Sequence, residues 1–267
     1  MNIEILSSDK LKAVLVKQTT GIMAETYSCN IEWSDGSVTR SYVKRFVPAR
    51  NLAIVNEITG YILADGCSLP IPKHVGLINA PGSIFNDESN AYSEICIAVS
   101  EVSGTNPVSY YNLGELVKCK ELMNMVAGWD KISDALAFDD WVANEDRHLG
   151  NIMVSGKGEI NLIDHSNLPI DINWSAKQLD PNYLAKSVLA QNLWALNCMP
   201  FPVRSKIAKQ ANSHSSVYTN KQQVLTKWWN TLLKDDPARR QALETFIETR
   251  AQKGNARVSA NMNILAV

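Results

Sequence analysis

The sequence predicts an α+β fold, with a β-rich first part that carries one helix and a mainly helical remainder. Three observations predict it. Between residues 11 and 46, three runs alternate apolar with polar residues and are separated by turn-forming ones. From Asn182 to about Lys253 the apolar residues recur at helical spacing. Between these parts a polar run, Asn144 to Asn151, lies between an apolar helix over Ala135 to Ala143 and two short apolar strands, Ile152–Val154 and Ile160–Ile163.

Composition bounds what such a chain can be. Its 267 residues are too many for one small core and suit one bilobal unit or two modest domains, with the parts placed here at 1–102 and 103–267. Apolar residues make up 45% and the net charge is −1, which excludes global disorder and gives no basic field for nucleic acid. The five cysteines, Cys29, Cys67, Cys96, Cys119 and Cys198, have no metal-ligand spacing, and their odd number argues against a disulfide framework. Free thiols in a reducing compartment are expected. Met1 to Ile5 lacks the basic and apolar regions of a secretory signal, and no apolar run approaches the ~20 residues that span a bilayer. The expected location is the cytoplasm, away from membrane.

In chain order, Leu11–Val16, Ala24–Trp33 and Val38–Phe46 form a β-meander. The second and third strands join through Ser34-Asp35-Gly36-Ser37. The first turn holds Thr19, Thr20 and Gly21, whose hydroxyls and backbone N–H groups could cradle phosphate, although an ordinary hairpin reads the same. On the third strand Lys44 lies between Val43 and Phe46. A one-residue slip would exchange its face with that of Arg45. Residues 51–65 form a helix stopped by Gly66, with Leu52, Val55, Ile58, Ile62 and Leu63 on an apolar stripe and Glu57 beside it. Lys73–Ile78 is a strand, and Asn79–Asn90 a mobile loop. His74 is a packed or surface histidine. Ala91–Val102 is a long strand, Asn106–Asn112 a loop, Leu113–Gly128 a helix and Lys131–Ala143 a second one. Later helices are expected over Tyr183–Cys198, Val203–Ala211, Lys221–Leu233 and Pro237–Gln252, with Trp228 and Trp229 as packing anchors. Gly254–Val267 reads as a poorly ordered tail.

A merely solvated loop does not need rigid supports on both sides, whereas a loop that positions chemistry does. Within Asn144–Asn151, Asp146 and Asn151 are separated by four residues, and Asp164 ends the hairpin that follows. Asp-x-x-x-x-Asn followed by Ile-Asp-His resembles the catalytic and metal loops of protein-kinase-like enzymes. The order Asp146-Arg147-His148-x-x-Asn151 is similar to that of phosphoinositide kinases and, more closely, of HipA-like bacterial kinases. The resemblance covers roughly residues 14 to 168. It departs from the general pattern after Asp164-His165-Ser166, where the glycine of Asp-Phe-Gly is absent.

The resemblance implies a bilobal kinase-like fold, with an antiparallel N-lobe sheet and a helical C-lobe, that uses ATP and Mg2+. Asp146 would orient the acceptor hydroxyl, and Asn151 and Asp164 would hold magnesium through hard oxygen ligands. Lys44 would pair the nucleotide phosphates and Glu57 would orient Lys44. The Thr20–Gly21 turn would cover the phosphates, and the backbone of Glu101 or Val102 would meet the adenine. Arg147 and His148 would fix the loop, with His148 also a candidate general base. The expected activity is transfer to Ser/Thr of a protein substrate, with an antitoxin-like regulator as a possible partner. The alternatives are a lipid or small-molecule acceptor, and a pseudokinase that binds nucleotide without turnover.

Overall fold

Alternating apolar residues in the first hundred positions close into one six-stranded sheet, seen in a computed structural model that describes all residues except 20–22, 51, 86–93 and 266–267. The strands are β1 (Ile3–Leu6), β2 (Leu11–Gln18), β3 (Glu25–Glu32), β4 (Val38–Arg45), β5 (Val75–Ala80) and β6 (Glu94–Ser100). Their spatial order is β1-β5-β6-β4-β3-β2. The sheet is mixed, which corrects the expectation of a purely antiparallel one, because β1 runs parallel to β5. Four residues are too few to show an alternation in sequence, and β1 does not alternate: Ile3 and Leu6 are its buried positions. Thr20 and Gly21 lie outside the described residues, and the strand expected from Ala91 lies partly outside them.

The chain divides into two compact units, residues 1–54 with 72–102, and residues 55–71 with 103–267. In the first, Leu6, Tyr27, Cys29, Ile31, Trp33, Val43, Ile78, Phe85, Cys96 and Ala98 pack into one core on one face of the sheet. Phe85 belongs to a short 3-10 turn, Gly82–Phe85, within the segment expected to be a mobile loop. Burying an aromatic ring there fixes the start of that segment. His74 stacks on Trp33 with ring centroids 5.0 Å apart, and its Nδ1 lies 3.2 Å from Glu4. It is a packed histidine.

Helix α1 (Leu52–Gly66) starts in the first unit and continues in the second. The second unit adds α2 (Pro107–Asn112), α3 (Leu116–Ala127), α4 (Ile132–Trp141), the hairpin β7 (Ile152–Val154) and β8 (Ile160–Leu162), then α5 (Val188–Ala195), α6 (Phe201–Gln210), α7 (His214–Leu232), α8 (Pro237–Gln252) and α9 (Gly254–Asn261). Helix α2 replaces an expected loop. Asn106 caps it by accepting from the Ser109 N–H at 2.9 Å, and Pro107 occupies its first turn. Helix α5 starts at Val188, five residues later than expected, where Ser187 caps it. Helix α7 begins seven residues earlier than expected, at His214.

Gly254–Asn261, the first part of the segment expected to be a poorly ordered tail, is instead helix α9. Its glycine lets it approach closely, since a Cβ on Gly254 would stand 2.3 Å from the Ala211 carbonyl oxygen. Val258 is fully buried, and Arg257 forms an ion pair with Asp140 of α4. Trp141 and Trp229 are buried in the same unit, and their indole N–H groups donate to Ile247 O and Thr59 Oγ1. All five cysteines are free thiols. Among the described residues no helix is long and apolar enough to cross a membrane.

Candidate functional site

Helix α4 delivers the polar loop from the core of the second unit. All but one of its residues are buried. Its C-terminal carbonyls meet a cation: Arg250 of α8 donates from Nε to Trp141 O at 2.7 Å and from Nη2 to Asp140 O at 2.5 Å. Arg250 Nη1 reaches Tyr183 O at 2.6 Å and Pro181 O at 3.2 Å. A positive group at this end also complements the helix dipole.

Beyond α4 the chain turns on Ala143, at φ +51°, and enters the loop. Asn144 is buried, and its N–H returns to Asp139 O at 2.8 Å. Its side-chain oxygen accepts from the Asp146 N–H at 3.2 Å. The Asp146 carbonyl accepts twice, from the His148 N–H at 2.6 Å and from Asn151 Nδ2 at 2.9 Å. Leu149–Asn151 is a 3-10 turn capped by His148, whose Nδ1 accepts from the Gly150 N–H at 2.9 Å. The His148 ring is exposed, and the proton of its neutral form sits on Nε2.

Arg147 is the hub of this loop. It is fully buried and ion-pairs with the equally buried Asp139 at 3.2 Å. Burial pushes the Asp139 carboxyl up, and Arg147 acts in the opposite direction. The remaining donors of Arg147 reach Ile163 O at 2.7 Å, His165 Nδ1 at 3.1 Å, Asp164 O at 3.3 Å and Asn151 O at 3.4 Å. One rigid five-donor fork therefore ties the end of α4, the loop and the strand end together. The Ile163 N–H completes the link by donating to Asn151 O at 3.1 Å.

Asp164 sits at φ +58°, in the left-handed region. Aspartate tolerates it because its side chain can bond the backbone two residues on. Here Oδ1 accepts from the Ser166 N–H at 3.2 Å and from Ser166 Oγ at 2.8 Å. Non-glycine residues in this region cluster at functional sites. The next residue is held from α1, where the buried Glu57 accepts the His165 N–H at 2.8 Å. Asn56 of the same helix donates to Ser166 O at 2.6 Å and Ile172 O at 3.2 Å, and accepts from Trp174 Nε1 at 3.0 Å.

The second unit thus brings Asp146, Asn151 and Asp164 onto one hydrogen-bonded frame, with Glu57 supporting it from α1. Lys44, Glu101 and Val102 belong to the first unit. There the sheet register separates Lys44 from Arg45. Arg45 ion-pairs with Glu25 and with Glu94 at 3.5 Å, and its guanidinium lies 4.3 Å from the centre of the Phe85 ring, on the core face. Lys44 pairs with Thr26 and Ile97 on the opposite face and is half-buried. The Glu101 N–H donates to Arg40 O at 2.9 Å, and its carboxylate accepts from Tyr42 Oη at 2.9 Å. Thr20 and Gly21 lie outside the described residues.

Among the described residues, no three His, Cys, Asp or Glu side chains come together as a metal centre. The candidate donors here are one carboxylate and one amide oxygen, a hard set that suits magnesium shared with phosphate and water. Asn151 commits its Nδ2 to the loop backbone, so its Oδ1 is the end of the amide suited to a cation.

Sequence reasoning missed Asn167, which donates from Nδ2 to Asp146 Oδ2 at 2.5 Å, and Glu145, whose Oε1 accepts from Tyr183 Oη at 2.9 Å and the Lys186 N–H at 2.7 Å. It also missed the role of Ser166, for which Asp-x-Ser spacing was an available signal. No local signal marks the other two. No protein-family model matches the chain, and no curated protein matches it.

Proposed function

We propose that this chain is an ATP- and magnesium-dependent kinase of the HipA-like type that phosphorylates Ser/Thr of a protein. The observation that carries the reading is the frame built by Arg147, which holds the segments bearing Asp146, Asn151 and Asp164 in one rigid piece. Phosphoryl transfer asks mainly for such positioning and for charge stabilisation. Asp146 orients the acceptor hydroxyl. Asn151 and Asp164 hold magnesium, which when bound neutralises phosphate charge. By the resemblance, Lys44 would be the compact cation offered to the phosphates. Glu57 steadies the backbone beside Asp164 through His165. His148 serves as the cap of its own turn, which supports a loop-fixing role over that of general base. Because the Glu101 N–H serves the sheet, Val102 is the better donor to the adenine edge.

The test is transfer of label from γ-labelled ATP, with magnesium, to the protein itself and to a cell lysate. The wild type labels, and Asp146→Ala and Asp164→Ala do not. Normal labelling by both variants would refute the assignment. Labelling confined to lipid vesicles would move it to a lipid acceptor, and thermal stabilisation by ATP and magnesium without turnover would make the chain a pseudokinase.

A further inference from the structure

We propose that Asn167 is a positioning residue for Asp146, setting which oxygen of that carboxylate meets the acceptor hydroxyl; this deepens the kinase reading and rests on it. The backbone of Asp146 is fixed at both ends, by Asn144 at its N–H and by His148 and Asn151 at its carbonyl. Those bonds leave the side-chain torsions to be set, and the Asn167 Nδ2 to Asp146 Oδ2 bond of 2.5 Å sets them. With Oδ2 engaged, Oδ1 is the oxygen presented to an acceptor.

Asn167 is itself well anchored. The residue before it is held through its carbonyl by Asn56, which Trp174 holds in turn, and both of these side chains are buried. The residue after it, Leu168, is fully buried. The turn that carries Asn167 is also the turn in which Ser166 fixes the Asp164 carboxylate. A single turn, Asp164–Asn167, thus governs the direction of two carboxylates that the reading gives different tasks, one toward metal and one toward acceptor. A shift of this turn would misdirect both, which couples correct metal binding to correct acceptor orientation.

The experiment compares Asn167→Ala and Asn167→Asp with wild type, Asp146→Ala and Asp164→Ala. Asn167→Asp keeps the size of the side chain but replaces the donor with an acceptor. Both Asn167 variants are expected to lose about 10- to 100-fold in kcat, the weight of one hydrogen bond to a charged group, with KM for ATP changed less than about twofold. A purely structural role would instead lower Tm and disturb ATP binding. A second measurement needs no turnover: the side-chain amide resonances of Asn167 in a 15N-labelled protein should move in Asp146→Ala. Unmoved resonances, or an unchanged kcat in Asn167→Ala while both aspartate variants are inactive, would overturn the positioning role alone. Normal labelling by both aspartate variants would overturn the kinase reading itself.

Discussion

Replacing Arg250 by alanine is expected to loosen the end of α4 and, through it, the loop that carries Asp146. Four carbonyls lose a charged donor: Trp141 O, Asp140 O, Tyr183 O and Pro181 O. At the low end of about 1.5 kcal/mol for each hydrogen bond to a charged group, this removes about 6 kcal/mol. A second effect opposes it. Burial lowers the Arg250 pKa to about 10, so its charge sits in the interior at a disadvantage of about 3 kcal/mol, which alanine releases. The group is still charged at neutral pH, so the donors count in full. The balance is a net loss of about 3 kcal/mol, before any term for the cavity beside Phe246. For a unit of this size that lowers Tm by about 6–12 °C. Thermal unfolding followed by circular dichroism measures the shift, and phosphotransfer assayed well below the new Tm measures its effect on the loop. A Tm within about 2 °C of wild type would show that water replaces the guanidinium at those carbonyls. In that case Arg250 does not hold α4.

Burial pushes the His214 pKa down to about 3, whereas an unfolded histidine titrates near 6.5, so the unfolded chain gains this proton first on acidification. The stability of keeping His214 neutral is present above about pH 6.5 and is lost as pH falls toward 3. Between pH 7 and 5, His214→Phe should therefore lose about 2 kcal/mol less than wild type in urea unfolding, and equal losses would rule the effect out. In Gly60→Ala the new Cβ would stand 2.4 Å from His165 Cβ and 2.9 Å from Leu168 Cδ2. The expected overpacking of about 1–3 kcal/mol outweighs the helix propensity gained, so Tm falls, and a raised Tm would show that His165 can yield. Asp164→Asn keeps a side chain that tolerates left-handed backbone, whereas Asp164→Ala does not. Asn should retain about 1 kcal/mol more stability by thermal unfolding, while both variants lose labelling.

Much of this was legible in the sequence because periodicity reports burial directly. The meander β2–β4 and the stripe of α1 follow from it, and the hairpin β7–β8 follows from the glycines Gly156 and Gly158 between two short apolar runs. The start of α8 followed from Pro237. What stayed hidden depends on distant partners. β1 is too short to show a pattern, and its parallel pairing with β5 depends on a strand far along the chain. Helix α9 looks polar in sequence because its buried positions include Arg257 and Ser259, acceptable inside only once Asp140 and neighbouring helices are in place. In the site, Asp146, Asn151 and Asp164 stood out because their spacing is local. Asn167 and Asp139 did not, since a hydrogen bond across 21 residues and an ion pair across eight within one frame leave no periodic trace.

The hairpin between the loop and Asp164 meets Arg147 only at its inner end. At its tip Gly156 and Lys157 are exposed, and a Cβ on Gly156 would meet nothing within 4 Å. Hairpin length is thus a free variable, and the tip is a graft point. A peptide tag or a fluorescent reporter inserted between Gly156 and Lys157 would sit on a short stalk rooted in the same rigid frame, leaving Asn151 and Asp164 in register.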